Sequence, residues 1–147
     1  MIGALRTAVC AALMALLIPC GCGKREAATD CEINRGACVK NVGEKLSVSF
    51  DITPKPVITM SDRLFSVVLK EGDIPITGAT VTFELSMPGM YMSGNKVSLS
   101  HKGEGIYEGK GVIVRCPSGR KVWRAEIVAE RPGRNPAVTG FTFMVDR

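Results

Sequence analysis

From Leu46 to Val145 apolar residues recur at every second position in short runs, broken by glycine and proline. Period two is the mark of strands with one buried face, because successive side chains of a strand point to opposite sides. The runs are Leu46-Val48-Phe50-Ile52, Phe65-Val67-Leu69, Val81-Phe83-Leu85-Met87, Val97-Leu99, Tyr107 to Val114, Trp123-Ala125-Ile127-Ala129 and Phe141-Phe143-Val145. Between them stand turn signals such as Pro54-Lys55-Pro56, Glu71-Gly72-Asp73, Pro88-Gly89, Pro117-Ser118-Gly119 and Pro132-Gly133. Short strands at this spacing predict an all-β fold over residues 46–147, an immunoglobulin-like β-sandwich of about seven antiparallel strands. No stretch after the N-terminal segment has helical periodicity, and Trp123 belongs to the core of the sandwich.

The chain has 147 residues, room for one domain. Residues 1–22 read as a signal segment: a charged start at Arg6, an apolar stretch from Ala8 to Ile18, then Pro19-Cys20-Gly21-Cys22. The apolar stretch falls short of the roughly 20 residues that span a bilayer. The cysteines that end it resemble a lipobox, in which a cysteine becomes the lipidated first residue of the mature chain. Cys22 follows Gly21, the favoured neighbour, with Pro19 at minus three; Cys20 has Leu17 at minus three but Pro19 directly before it. Cys22 is the preferred lipidation site, with Cys20, or simple cleavage near Ala27 or Ala28, as alternatives. The expected location is outside the cytoplasm, on a membrane facing the periplasm or the cell exterior, and Gly23 favours the outer membrane where there is one.

Residues 23–45 then hold a short tether and a loop between Cys31 and Cys38. In an oxidising compartment two such neighbours close into a disulfide, and Asn34 and Gly36 suit the turn between them. Cys116 is left odd, as a free thiol, a ligand or an intermolecular partner. Structural zinc fits poorly, since the cysteine pair is widely spaced and His101 is the single histidine.

The formal charge of +5 is spread among acidic residues, with only Arg115, Arg120, Lys121 and Arg124 close together, so no nucleic-acid partner is expected. Catalytic constellations are missing too. His101 lies between Ser100 and Lys102, no glycine-rich loop leads into a helix, and Cys116 has only arginines nearby to activate it. The chain is read as a non-enzyme.

Met87-Pro88-Gly89-Met90-Tyr91-Met92 is the most distinctive string. Thioether sulfurs are soft donors that suit Cu(I), and a loop shaped by proline and glycine presents several at once. The plainer reading has Met87 continuing its strand inward, Pro88-Gly89 as the centre of a type II turn, and Met90 and Met92 plugging the end of the sandwich. With alternating strands, the loops holding Met60, Met87 to Met92 and Cys116 share one pole. His101 and the Cys31/Cys38 loop are expected at the other, which turns the methionine pole away from the anchored membrane.

Residues 46–145 resemble the YtkA-like/FixH-like group of exported bacterial β-sandwich domains. The resemblance rests on Pro75, Gly78, Ala79, Val81, Phe83, Met87, Pro88 and Met90, then Gly105 to Gly111, then the Gly119 to Trp123 hairpin. It implies an accessory envelope domain, some relatives being associated with copper handling or oxidase assembly. Where a histidine often follows the Met-Pro-x-Met turn of the group, Tyr91-Met92-Ser93 stands here, and a Cys-Pro-Ser-Gly turn enters the hairpin. Those changes argue against Cu(II) and leave a sulfur-only Cu(I) site of Met87, Met90, Met92 and Cys116. The expectation is therefore an envelope lipoprotein that binds a protein partner or Cu(I) at this pole. Its rivals are a structural or protein-interaction module without metal, and a redox accessory acting through Cys116.

Overall fold

The computed structural model describes residues 27–90 and 96–146, so the signal segment, Cys20, Cys22 and Met92 lie outside the described residues. The described chain is all β, with nine antiparallel strands: β1 Cys38–Val42, β2 Leu46–Thr53, β3 Asp62–Glu71, β4 Ile74–Pro75, β5 Thr80–Ser86, β6 Lys96–Gly103, β7 Ile106–Val112, β8 Val122–Glu130 and β9 Ala137–Met144. Seven of these are the runs read from the alternation. β1 and the two-residue β4 are additions. β1 hides in the sequence because it is an edge strand that buries little; Val39 is 62% exposed. Together with the bonds from Asp30 and Cys31 to the Thr142 carbonyl, it brings residues of the expected tether into the folded unit.

The strands follow one path, β1-β2-β3-β7-β6-β5-β8-β9, with β4 paired to β3. What joins the two sheets is β6. Val97 and Leu99 pair with Phe83 and Val81 of β5, whereas Ser100, His101 and Gly103 pair with Glu108, Tyr107 and Ile106 of β7. The strand changes sheets halfway along, between Leu99 and Ser100, and its pairing with β7 then shifts register between His101 and Gly103. The sandwich is thus nearly a barrel.

Inward-facing side chains of both sheets meet in an aromatic core. Phe50 lies 5.5 Å from Phe141 and 5.9 Å from Phe143, centroid to centroid, and Phe65 lies 4.6 Å from Phe83. All five rings are fully buried, as is Trp123 at 1% exposure. Burial of such rings, about 1.5–3 kcal/mol each, is what holds the sheets together.

Register defines the two poles. Thr53 pairs with Leu64, Asp62 with Val112, Ser86 with Arg124 and Val122 with Met144, so β2, β5, β7 and β9 end where β3 and β8 begin. That pole carries Met60, Met87, Met90 and Cys116, as expected, and His101 lies toward the other, its ring 5.0 Å from that of Tyr107. The disulfide loop, however, does not join His101. Cys38 opposes Phe50 near the end of β2, Asn34 accepts a hydrogen bond from the Val57 N–H at 2.7 Å, and Lys55 donates to the Ile33 carbonyl. The loop therefore sits at the methionine pole. The reason is β1: an extra antiparallel strand before β2 reverses which end the loop reaches. This removes the geometric ground for placing the methionine pole farthest from the anchor.

Candidate functional site

Two turns shape this pole. In the first, the Met90 N–H donates to the Met87 carbonyl at 2.9 Å, and Gly89 takes a φ of 75°, as the third position of a type II turn requires. In the second, the Gly119 N–H donates to the Cys116 carbonyl at 3.0 Å. Arg120 Nη1 donates to the Pro88 carbonyl at 3.3 Å and ties the two together across 32 residues of sequence. Met60, in the bend that leads into β3, lies at the same pole, its N–H donating to the Ile113 carbonyl at 2.8 Å.

Of the four expected sulfur ligands Met92 lies outside the described residues, and the other three fare differently. Met87 is 2% exposed and packs in the core, continuing the alternation of β5. Met90 is 37% exposed and Met60 63%. Cys116 is a free cysteine, buried, with Sγ 3.0 Å from Ser118 Oγ. That hydrogen bond is the main reason its thiol is held below the ordinary value; burial opposes it, and the N–H groups of Ser118 and Arg120 and the Arg120 charge add to it. The structure thus brings Met87, Met90 and Cys116 to adjacent turns, with one sulfur outward, one in the core and one hydrogen-bonded. Among the described residues no three His, Cys, Asp or Glu side chains gather as a metal site. The expected disulfide between Cys31 and Cys38 is present.

Other residues of this pole carry no local sequence signal. Arg63 begins β3 facing inward and is 3% exposed; its Nη1 donates to the Pro54 carbonyl at 2.6 Å, while its Nε has no partner among the described residues. A buried guanidinium normally pairs with a carboxylate, and here it is covered by the Pro54–Pro56 segment instead. Beside it, where β6 leaves β7, a slot of about 130 Å³ opens between the sheets, walled by Phe65, Leu85, Val97, Gly111, Val112 and Trp123. Trp123 Nε1 is buried without a hydrogen-bond partner among the described residues.

Residues 44–114 match the family model described as YtkA-like. No curated protein and no solved structure matches the chain. The structure gives several of the shared residues a framework role. The Tyr107 hydroxyl donates to the Ile76 carbonyl at 2.8 Å and accepts from the Ala79 N–H at 3.1 Å, pinning the crossover from β4 to β5. Gly105 turns β6 into β7 with a φ of 74°, where a Cβ would lie 2.5 Å from the Leu69 carbonyl oxygen. Likeness to this family model over residues 44–114 is what points to an accessory domain of the cell envelope.

Proposed function

Taking residues 44–114 as a YtkA-like domain, we propose that the chain is a non-enzymatic accessory lipoprotein, exported by residues 1–22 and anchored through Cys22, that binds its target with the pole of the Met87 and Cys116 turns. The observation that carries this reading is the Arg120–Pro88 tie, which fixes two sulfur-bearing turns side by side. A fixed pair of turns is a prepared surface, since little ordering remains to be done on binding.

The ligand suited to these atoms is Cu(I). Thiolate is the metal-binding form of cysteine, and the Ser118 hydrogen bond favours it at Cys116. Of the two described thioethers of the turn string Met90 is the more accessible, Met92 follows it in sequence, and Met87 joins them only by leaving the core. The rival reading, a protein-interaction module without metal, draws on the exposed apolar side chains there, Met60, Met90, Val112 and Val114.

Anaerobic titration of the full chain with Cu(I), against a competing chelator and with the Cys31–Cys38 disulfide intact, separates the two. Cu(I) handling requires at least about tenfold weaker binding, about 1.4 kcal/mol, when Met90→Leu and Cys116→Ala are combined. Equal affinity of the double variant and the parent removes the metal and leaves the interaction module.

A further inference from the structure

β6 leaves β7 before β7 ends, and the backbone past that point has no neighbour on one side. The Leu69 N–H donates to the Gly105 carbonyl and the Met60 N–H to the Ile113 carbonyl, so the odd-numbered residues of β7 turn their backbone polar groups toward β3 and the bend before it. The even-numbered residues turn theirs the other way, as alternation along a strand requires. There Ile106 and Glu108 meet Gly103 and Ser100 of β6, and the pairing stops at Glu108. Beyond it the N–H and C=O groups of Lys110 and Val112 have no backbone partner on that side among the described residues. An open row of this kind is a template for another strand.

The side chains along the edge leave room for one. On β7 the inward positions are Tyr107, Gly109, Gly111 and Ile113. Leu99 fills the space over Gly109, where a Cβ would come within 2.7 Å of its Cδ2. Gly111 has only the Phe65 ring near it, 3.1 Å from a built Cβ, and it borders the slot of about 130 Å³ walled by Phe65, Leu85, Val97 and Trp123. Glycine inside a strand often marks a place where another backbone approaches closely. On the outward face Lys110 is exposed and makes no ion pair among the described residues, and Val112 beside it is 44% exposed.

We infer that this edge of β7 receives an extended segment of a partner protein as an added antiparallel strand, with one aliphatic side chain in the slot and one carboxylate beside Lys110. Residues directly opposite in an antiparallel pair share a face of the sheet. The partner residue across from Gly111 therefore points inward. An apolar cavity of about 150 Å³ takes a benzene ring, so the slot has the size for one aliphatic side chain. The residues on either side of it point outward, an aliphatic one across from Val112 and an acidic one across from Lys110. Along the partner's chain the order is aliphatic, aliphatic, acidic. Backbone hydrogen bonds to Lys110 and Val112 supply affinity, and the alternating side chains supply specificity. A second copy of this chain is a poorer occupant. Its own open edge brings Gly109 and Gly111 inward, which leave the slot unfilled, and it carries Lys110 rather than a carboxylate on the outward face. The edge binds in this way whether or not the sulfur-bearing turns take metal.

The chain has one tryptophan, in the wall of the slot, so indole fluorescence of the full chain reports on occupancy. The probe is the peptide acetyl-Thr-Ser-Val-Leu-Glu-Ser-Thr-amide. A saturable change is expected, at least about tenfold weaker when the glutamate is exchanged for lysine or its backbone nitrogen is methylated. Methylation of the leucine nitrogen, which points away from β7 in this register, costs far less. Lys110→Glu, a change at an exposed position, reverses the preference between the glutamate and lysine peptides. Combining Met90→Leu with Cys116→Ala, which disables the turns, leaves peptide binding unchanged. Strand addition is overturned if the peptide gives no saturable change, if the two methylations weaken it equally, if Lys110→Glu leaves the preference as it was, or if the turn variant loses the peptide. Sedimentation showing that the chain alone closes this edge with a second copy, in a dimer that Lys110→Glu disrupts, also overturns it.

Discussion

Where β1 approaches β9 the gap in the wall is tied shut; where β6 leaves β7 it is left open. At the first seam Asp30 and Cys31 both donate backbone hydrogen bonds to the Thr142 carbonyl, the Asp30 carboxylate accepts from the Thr142 N–H at 2.8 Å, and Lys40 reaches both Asp30 and the Gly140 carbonyl. The Cys31–Cys38 bridge holds the segment that makes these bonds to the start of β1. At the second seam two glycines face inward on β7, and one of them, Gly111, borders empty space. A sheet edge is a liability unless something covers it. The contrast teaches that the first seam is built for closure of the fold, and the second keeps an opening beside the one tryptophan.

The comparison breaks first at the disulfide. Replacing both cysteines, Cys31→Ala with Cys38→Ala, should cost about 2 kcal/mol of unfolding free energy, the loop-closure entropy of so short a ring, given their separation of 7 residues. Denaturant midpoints of the parent and the double variant measure it, and an unchanged midpoint would mean that the seam is held without its bridge. The ion pair comes next. Burial raises the Asp30 carboxyl, but the hydrogen bonds from Lys40 and the Thr142 N–H, with the charges of Lys40 and Arg124, outweigh it and hold the pKa below the ordinary 3.8. A carboxylate depressed on folding adds stability above its unfolded pKa and loses it as pH falls through the folded one. Asp30→Asn should therefore cost at most about 1 kcal/mol near neutrality, since the pair is part-exposed, and the difference from the parent should begin to shrink as pH approaches 3.8 and vanish only below the lowered folded-state pKa. A gap that persists in acid would show that the carboxylate charge is not what matters.

The smallest effect is expected at the open seam. Gly111→Ala gains strand propensity and meets only the edge of the Phe65 ring, so stability should move by no more than about 0.5 kcal/mol in either direction. A loss well beyond that would mean that the wall around Gly111 is already full. Thermal and denaturant unfolding of that variant beside the disulfide variant puts both seams on one scale.

Much of the fold was legible because burial on one face writes itself into the sequence as alternation. β2 alternates buried and half-buried residues without a break, and β8 likewise keeps Trp123, Ala125, Ile127 and Ala129 inside. The elements that escaped are those that bury little: β1 at the edge, and β4 with two exposed residues. Missing β1 carried the disulfide loop to the wrong pole, although the bridge itself could be read from two near neighbours. At the candidate site, the Met87–Met90 turn and the Cys116–Ser118 contact are local and were accessible to sequence reasoning. Arg120 reaching Pro88, Arg63 under the Pro54–Pro56 segment and the slot beside Trp123 were not.

By itself the sequence determined the all-β class, most strand positions, the cysteine pair and the turns of the methionine string, since each depends on residues within a few positions of one another. Only the tertiary structure decided that β6 divides its length between two sheets, that Met87 is committed to the core while Met90 is not, and that one seam is clamped while the other gapes. Those outcomes depend on which distant backbones pair and in what register, and pairing free energy is shared among strands that local pattern cannot tell apart.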